Sequence, residues 1–101
     1  MIIVKVAYTV KPEFVQKNKE NINIFMADFK KLDNKEFRYT AYLSGDGKTF
    51  VHLSHYNNEF IQKQLLDVPS FKAFQQQRDE SGLEGAPDIE VLQMVGTSGQ
   101  L

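Results

Sequence analysis

The stretch FRYTAYLSGDGKTFVHLSHY, residues 37–56, decides the fold of this chain. Its two flanks, FRYTAYL and TFVHLSHY, are rich in aromatic and β-branched residues, which favour β-strands. Between them lies Ser44-Gly45-Asp46-Gly47-Lys48, whose glycines can adopt the positive φ angles of a tight turn. The stretch therefore predicts a β-hairpin that the rest of the chain covers or extends.

The turn leaves two registers open. A two-residue turn places Ala41 opposite His52. A three-residue loop that also includes Gly45 places Thr40 there. We expect the three-residue loop, because a one-residue slip exchanges the two faces of the hairpin and this register separates them better. It places these residues on the first face: Phe37, Tyr39, Ala41, Leu43, Val51, Leu53 and His55. The second face then carries Arg38, Thr40, Tyr42, Phe50, His52, Ser54 and Tyr56.

Length and composition predict one ordinary globular domain over residues 1–101. Hydrophobic residues make up 42% of the chain and charged residues 25%. Cysteine is absent, which excludes disulfides, thiol nucleophiles and thiolate metal sites. The 12 basic and 13 acidic residues show no basic cluster of the kind that binds nucleic acid. No apolar run reaches membrane-spanning length and no signal peptide is visible, so we expect a cytoplasmic protein with neither nucleic-acid nor membrane partners.

Outside the hairpin, the periodicity of apolar residues predicts the other elements. They are a strand at Ile2–Val10, a helix from Pro12 to about Leu32, helices at Glu59–Leu66 and Phe71–Glu80, a strand at Ile89–Thr97, and a tail at Ser98–Leu101. The pair Asn57-Asn58 is expected to cap the first of the two later helices, and Ser70 the second. Asn34 and Gly82 are expected to stop the first and the last helix. The order β-α-β-β-α-β predicts an α+β ferredoxin-like sandwich, a four-stranded antiparallel sheet with helices on one face.

The sheet then has a helix face and an open face, which no helix covers. In the expected register the open face carries large side chains that suit an interface: Tyr42, Phe50, His52 and Tyr56, with Leu92 or Met94 from the last strand. Apolar patches of this kind usually mark contacts with another chain. We therefore expect a homodimer whose open faces pack together as a dimeric α+β barrel.

Four segments of the chain resemble the antibiotic-biosynthesis monooxygenase-like group of the dimeric α+β barrel superfamily: IIVKVAYTVKP, TFVHLSHYNNE, DVPSFKAFQQQ and the strand ending in VGTS. The resemblance covers nearly the whole chain in element order and spacing. It implies a homodimer whose two sheets form a barrel with the helices outside. The activities known in this group include cofactor-free oxygenation of polycyclic phenols and oxidative degradation of haem, and many members have no assigned activity.

The chain departs from the haem-degrading branch at three positions. That branch uses an asparagine on the first strand, and a tryptophan and a histidine in the second helical region. Aligned on VKP and SFKAF, these positions fall near Val6, Leu65 and Gln75, and a bound haem would lack its axial ligand. Ser54 and Tyr56 replace a glutamate and a tryptophan that the group often has at the end of the third strand. We therefore exclude haem degradation and expect no cofactor.

His52 and His55 are the only histidines and lie three residues apart. On a strand this odd offset directs them to opposite faces, so we expect no shared metal ion. In the expected register His55 lies on the helix face and is the candidate catalytic acid–base group. The candidate substrate-binding residues are Tyr8, Tyr39, His55 and Phe74, in a pocket between sheet and helices. The alternative is that the two tyrosines are core aromatics.

These features support two functions. The first is a cofactor-independent monooxygenase-like protein that binds a small aromatic molecule of the phenol or quinone type. The second is a non-catalytic homodimeric module for ligand binding or structure. A cavity of roughly 300–1,000 Å³ beside Tyr8 and Tyr39 would favour the first function, and a filled interior the second. The RNA-recognition motif shares the element order, but its signature positions hold Asp46, Lys48 and Leu53, which excludes it.

Overall fold

The computed structural model describes residues 1–99, so the last two residues of the predicted tail lie outside the described part of the chain. The elements are β1 (Ile2–Thr9), α1 (Val15–Lys31), β2 (Phe37–Leu43), β3 (Thr49–Tyr56), α2 (Glu59–Leu66), α3 (Pro69–Gln77) and β4 (Asp88–Leu92). A 3-10 turn, Pro12–Phe14, leads into α1, and a π-helical turn, Arg78–Gly82, follows α3. The strands form one antiparallel sheet in the order β2-β3-β1-β4. The predicted α+β ferredoxin-like fold is confirmed.

Local signals set the starts of the later helices. Asn58 caps α2 as predicted, because its side chain accepts a hydrogen bond from the backbone N–H of Ile61 at 3.0 Å. The predicted cap at Ser70 is wrong. Pro69 occupies the first turn of α3, where a missing N–H costs nothing, and the Ser70 hydroxyl donates to the Asp28 carboxylate at 2.6 Å instead. That bond ties α3 to α1.

The end of α1 differs from the prediction by one residue. Asp33, rather than Asn34, takes the positive φ angle, 46°, that lets the chain leave the helix. The Asn34 side chain accepts a hydrogen bond from the backbone N–H of Glu36 at 2.8 Å. Asn34 therefore shapes the turn into β2 and does not cap the helix.

Strand β4 is shorter than predicted, since it ends at Leu92 and not at Thr97. Leu92 pairs with Ile3, and β1 itself begins at Ile2. Gln93 would face Ile2, so residues from Met94 onward run past the start of β1 and have no neighbouring strand to pair with. The length of β1, and not the apolar sequence of β4, sets this end of the sheet.

The predicted register of the hairpin is wrong. Ala41 pairs with His52, which is the register of the two-residue alternative. The loop itself nevertheless holds four residues, 45–48, because Ser44 and Thr49 close it with a backbone hydrogen bond of 2.8 Å. Neither loop length considered from the sequence is the one observed.

Asp46 explains the four-residue loop. Its carboxylate accepts hydrogen bonds from the Thr49 hydroxyl at 2.6 Å, the Thr49 N–H at 2.8 Å and the Lys48 N–H at 2.9 Å. These bonds hold the pKa of Asp46 well below its usual range. Gly47 takes the positive φ angle, 76°. A side chain that satisfies the loop backbone replaces the tight turn that the glycines suggest.

The observed register places every side chain of β3 on the face of the sheet opposite to the one predicted. Phe50, His52 and Tyr56 are only 3%, 2% and 2% exposed and lie beneath the helices, so they do not form the predicted open-face interface. Tyr42 does lie on the open face, where it is half exposed. His55 also lies on the open face and not, as predicted, on the helix face.

Phenylalanine rings fill the space between the helices and the sheet. Phe25 and Phe29 come from α1, and Phe71 and Phe74 from α3, as the helical spacing predicts. The Phe25 ring centroid lies 5.1, 5.0 and 4.9 Å from those of the other three, in tilted and edge-on geometries that aromatic rings favour. No helix in residues 1–99 is long and apolar enough to cross a membrane.

Phe25→Ala should lower the free energy of unfolding by about 3–5 kcal/mol, because it removes a fully buried ring and leaves a cavity. Ile24→Ala is the matched control, since this neighbouring side chain is 56% exposed and its loss should cost no more than about 0.5 kcal/mol. Urea unfolding followed by circular dichroism measures both changes. Equal losses in the two variants would contradict the packing described.

Candidate functional site

A chain of hydrogen bonds centred on His52 runs through the interior. His52 on β3 lies directly opposite Val6 of β1 and Ala41 of β2, so tyrosines on both neighbouring strands reach it diagonally. The Tyr8 hydroxyl lies 2.8 Å from His52 Nε2, and the Tyr39 hydroxyl lies 2.7 Å from Nδ1. Both ring nitrogens therefore have a partner.

Asn18 of α1 extends this chain and sets its direction. Its side chain is fully buried, and its Nδ2 donates to the Tyr8 hydroxyl oxygen at 2.9 Å. With this amide orientation the Tyr8 O–H can donate to Nε2 of His52 and Nδ1–H to the Tyr39 oxygen, which leaves the Tyr39 O–H unassigned. Within residues 1–99, Asn18 Oδ1 is buried without a partner. The opposite orientation of the Asn18 amide would leave its buried N–H donors without a partner. Unpaired N–H groups are rarer in protein interiors than unpaired oxygens.

Burial dominates the acid–base properties of this cluster. Desolvation, with a smaller contribution from the nearby Arg78 guanidinium, lowers the pKa of His52 to about 3. Burial raises the pKa of Tyr8 to about 12 and the pKa of Tyr39 well above its ordinary value. At neutral pH these three ring side chains are therefore uncharged. His52 is a hydrogen-bonding group here and not a base that stores a proton.

A buried cation adjoins the cluster. Arg78 is the first residue of the π-helical turn, and its guanidinium carbon lies 4.9 Å from the ring centroid of Tyr8 and 5.2 Å from that of Phe74. Its Nε donates to the half-exposed Asp79 carboxylate at 3.0 Å. The rings of Tyr8 and Phe74 thus contact one side of the Arg78 guanidinium. The positive charge of Arg78 disfavours a second positive charge on His52.

Asn18 and Arg78 belong to this cluster, and the sequence reading missed both. Each carried a signal, because each is a polar residue in an otherwise apolar helical stripe. Asn18 precedes Ile22 and Phe25 at helical spacing, and Arg78 follows Phe74 by one turn. Polar groups buried in such stripes are normally hydrogen-bonded to a partner inside the protein. This rule alone identifies Asn18 and Arg78 as candidates for a buried polar cluster.

Tyr39 and Tyr8 line two separate cavities. The first, called the Tyr39 cavity, lies between the end of α1 and β2, measures about 290 Å³, and is lined by Met26, Phe29, Lys30, Asp33, Asn34, Lys35, Phe37 and Tyr39. The second measures about 400 Å³ and is lined by Tyr8 together with residues at the end of β1 and in the loop before β4. Neither cavity is lined by both tyrosines. The phenylalanine rings occupy the space between them.

The structure brings together three of the four predicted substrate-binding residues. Tyr8, Tyr39 and Phe74 surround His52, and the Phe74 ring centroid lies 5.5 Å from that of His52. His55, the predicted catalytic residue, is separated from them by the sheet, and its Nδ1 is buried without a partner among residues 1–99. The predicted placement of the two histidines on opposite faces is confirmed. Roles in binding or catalysis stay predictions.

Comparison with known proteins bears on the fold. Neither a family model nor a curated protein sequence matches the chain. Several solved structures do match over nearly the full length of both chains. A protein of Bacteroides thetaiotaomicron, provisionally named an antibiotic biosynthesis monooxygenase, has a TM-score of 0.84 at 11% identity, with 99% of this chain and 94% of that chain covered.

Two further structures agree. A Caulobacter crescentus protein of the same provisional name has a TM-score of 0.77 at 22% identity, covering 94% of this chain and 90% of its own. A Mycobacterium tuberculosis protein has a TM-score of 0.79 at 16% identity, covering 97% and 98%. The chain therefore has the fold of proteins named antibiotic biosynthesis monooxygenases. The resemblance predicted from the sequence is confirmed at the level of the fold.

Burial of neutral His52 should make the protein less stable as the pH falls below about 6.5. The unfolded chain binds a proton with the ordinary histidine pKa near 6.5, whereas the folded state takes it up only near pH 3. The stabilisation is therefore complete above about pH 6.5 and is lost progressively towards pH 3. The slope should approach about 1.4 kcal/mol per pH unit. Urea unfolding at several pH values measures it.

His52→Gln should flatten this dependence between about pH 4.5 and 6.5, a window mostly above the titration of carboxylates. His55→Gln is the matched control and should keep the slope, because His55 lies on the other face of the sheet. A wild-type free energy of unfolding that stays constant through this window would show that His52 is not buried in its neutral form.

Proposed function

We propose that this chain forms a cytoplasmic homodimer that binds a small aromatic molecule of the phenol or quinone type in the Tyr39 cavity, as a cofactor-independent monooxygenase-like protein. The observation that carries the proposal is that Tyr39 belongs both to the cavity wall and to the buried hydrogen-bond chain. Its side chain lines the cavity, and its hydroxyl is hydrogen-bonded to His52 at 2.7 Å. A molecule in the cavity would therefore touch the residue at which the buried hydrogen-bond chain ends.

The walls of the Tyr39 cavity suit an aromatic ring. Phe29, Phe37 and Tyr39 offer ring faces and edges, and Met26 adds a polarisable sulfur that packs well against aromatic groups. The volume of about 290 Å³ lies at the lower end of the range for small-molecule sites. Polar side chains gather at the rim, so a ligand can keep an oxygen near water while its rings are buried.

Oxygenation without a cofactor draws its electrons from the substrate itself. In the proposed reaction O₂ oxidises a phenol to a quinone: one oxygen atom replaces a ring hydrogen and becomes a carbonyl oxygen, and the other leaves as water. His52 does not take the phenol proton, because its pKa of about 3 keeps it neutral. It acts as a positioning residue that holds Tyr39, and the proton leaves to solvent at the cavity mouth.

The filled interior favours a second candidate function, that of a non-catalytic homodimeric module that binds a ligand or has a structural role. Rings occupy the region between Tyr8 and Tyr39 in which an enclosed substrate pocket would lie: Phe25, Phe29, Phe71 and Phe74. Such a module would bind the same kind of molecule at the Tyr39 cavity without turning it over. Oxygen consumption separates the two functions.

The homodimer is proposed through the open face, where Tyr42 and Leu92 remain from the prediction and Phe50, His52 and Tyr56 do not. Tyr42 is joined there by Ile3, Val51, Leu53 and Leu92, which the strand pairing places on the same side of the sheet. These five side chains form an apolar band across all four strands, in which Ile3 is already buried, at 5% exposure, and the other four remain accessible. A band of this kind on a face without helices suits self-complementary packing against a second copy.

Met26→Trp should abolish binding of 2-naphthol, because the larger side chain fills the Tyr39 cavity. Met26→Leu, which conserves volume, is the matched control and should bind like the wild type. Titration of ¹⁵N-labelled protein measures both the affinity and the place of binding. Wild-type shifts confined to amides away from residues 26–39 would contradict the proposed site.

The same variants test turnover. With a bound dihydroxynaphthalene in metal-free buffer, an oxygen electrode should record uptake by the wild type and by Met26→Leu above the uncatalysed rate, and none above it by Met26→Trp. Binding without any uptake would establish the non-catalytic function and contradict the monooxygenase-like one.

Leu53→Asp should convert the dimer to a folded monomer, because it places a charge in the proposed interface while Leu53 is only partly buried in the single chain. Phe50→Asp should instead unfold the chain, since Phe50 lies in the core. Sedimentation equilibrium gives the mass, and circular dichroism the fold. A wild type that stays monomeric and folded at about 100 μM, well above ordinary micromolar affinities, would rule out the homodimer.

A further inference from the structure

We propose that the Tyr39 cavity selects an aromatic acid of one or two rings, and that Lys30 and Lys35 recognise its anionic group. The inference rests on the proposed aromatic-binding function and adds the size and the charge of the molecule. It follows from three observations: the volume of the cavity, the rigidity of its inner wall and the charges on its rim.

The volume limits the number of rings. An apolar protein cavity of about 150 Å³ holds one benzene molecule. The Tyr39 cavity, with about 290 Å³, has about twice that space and therefore takes two fused rings. A molecule of three or more fused rings whose anionic group stays at the rim would have to displace part of the inner wall. The polycyclic phenols implied by the sequence resemblance therefore do not fit inside the cavity as a whole.

The inner wall of the cavity has little freedom to move. Phe29 is buried, and its ring centroid lies 5.3 Å from that of Tyr39, 5.6 Å from that of Phe71 and 5.1 Å from that of Phe25. Tyr39 is held in turn by its hydrogen bond to His52. Enlarging the cavity would disrupt close-packed rings and a buried hydrogen bond together, which opposes entry of a larger ligand.

The rim of the cavity carries two lysines and one carboxylate. Lys30 and Lys35 are exposed, and within residues 1–99 neither they nor Asp33 form an ion pair. Asp28, another acid near this end of α1, is already engaged, since it lies 3.5 Å from Lys31. The two unpaired ammonium groups outnumber the one unpaired carboxylate, so the rim attracts an anion.

Three further cavities of the described residues each lack at least one of these features. The cavity of about 200 Å³ beside Phe50 has apolar walls but a single lysine, Lys19, and space for about one ring. The cavity of about 440 Å³ beside Phe60 lies on the surface of α2 and α3, and its carboxylate, Asp67, is already bridged by Lys63 and Lys72. The charged residues that line the cavity at Tyr8 are acidic, so that site repels an anion. Apolar walls, a rigid aromatic floor and unpaired cations occur together at the Tyr39 cavity.

Titration of ¹⁵N-labelled protein with three probes tests the proposal. We expect 3-hydroxy-2-naphthoate to shift amides around the Tyr39 cavity and to bind about fivefold more tightly than 2-naphthol, which has the same rings without the acid, at about 0.01 M salt. The preference should disappear near about 1 M salt. Anthracene-2-carboxylate, with three rings, should bind at least about tenfold more weakly than the naphthoate.

Paired variants assign the charge selection to the rim lysines. Lys30→Gln with Lys35→Gln should remove the preference, so that the naphthoate and 2-naphthol bind this variant with about equal affinity. Lys63→Gln with Lys72→Gln is the matched control, two surface lysines beside another cavity, and should keep the preference.

The outcomes separate this inference from the proposed function. Equal affinities for naphthoate and naphthol at low salt would overturn the charge selection, and tight binding of the anthracene acid would overturn the size limit. Either result leaves aromatic binding at the Tyr39 cavity standing. Absence of shifts at residues 26–39 with all three probes would overturn both the function and the inference.

Discussion

The neutral ring of His52, hydrogen-bonded at both nitrogens, is the constraint on which the rest of the structure depends. A buried nitrogen without a partner would cost about 1–3 kcal/mol, so both tyrosine hydroxyls are needed. Tyr8 and Tyr39 reach His52 from the two strands that flank β3, which ties β1, β2 and β3 to one register. A slip by one residue would turn His52 to the open face and break both bonds.

The aromatic shell around this cluster decides what chemistry it can support. Rings from α1 and α3 exclude water, and the loss of solvation keeps His52 neutral and raises the pKa values of Tyr8 and Tyr39. A dry, uncharged chain of hydrogen bonds positions groups well but stores no proton. The cluster is therefore compatible with the proposed function, in which Tyr39 is held still beside a ligand and that ligand supplies the electrons that O₂ accepts.

The sequence was sufficient to predict the fold. It was not sufficient to predict which side chains of β3 lie on each face of the sheet. The alternation in β1 and the cap at Asn58 act locally, so they could be predicted. The register depended on how Asp46 satisfies the loop backbone, a side-chain effect that turn preferences do not contain. Both faces of β3 carry apolar residues, so the hydrophobic pattern does not show which face is buried. The predicted register therefore places His55, and not His52, on the helix face.

The candidate site was predictable only in part, for a related reason. Tyr8, Tyr39 and Phe74 could be placed near one another from strand and helix spacing. The polar residues that complete the cluster, Asn18 and Arg78, come from α1 and from a π-helical turn, and their partners lie far along the chain. Long-range hydrogen bonds of this kind follow from the packed structure, and periodicity signals only that something polar is buried.

Nuclear Overhauser contacts of the His52 ring protons test the central claim most directly. The ring centroids of Tyr8 and Tyr39 lie 5.2 and 5.6 Å from that of His52, and Tyr42 lies on the other face of the sheet. The account predicts contacts from His52 to both Tyr8 and Tyr39 and none to Tyr42. Contacts to Tyr42 without contacts to Tyr39 would contradict the register, the buried cluster and the site built on it.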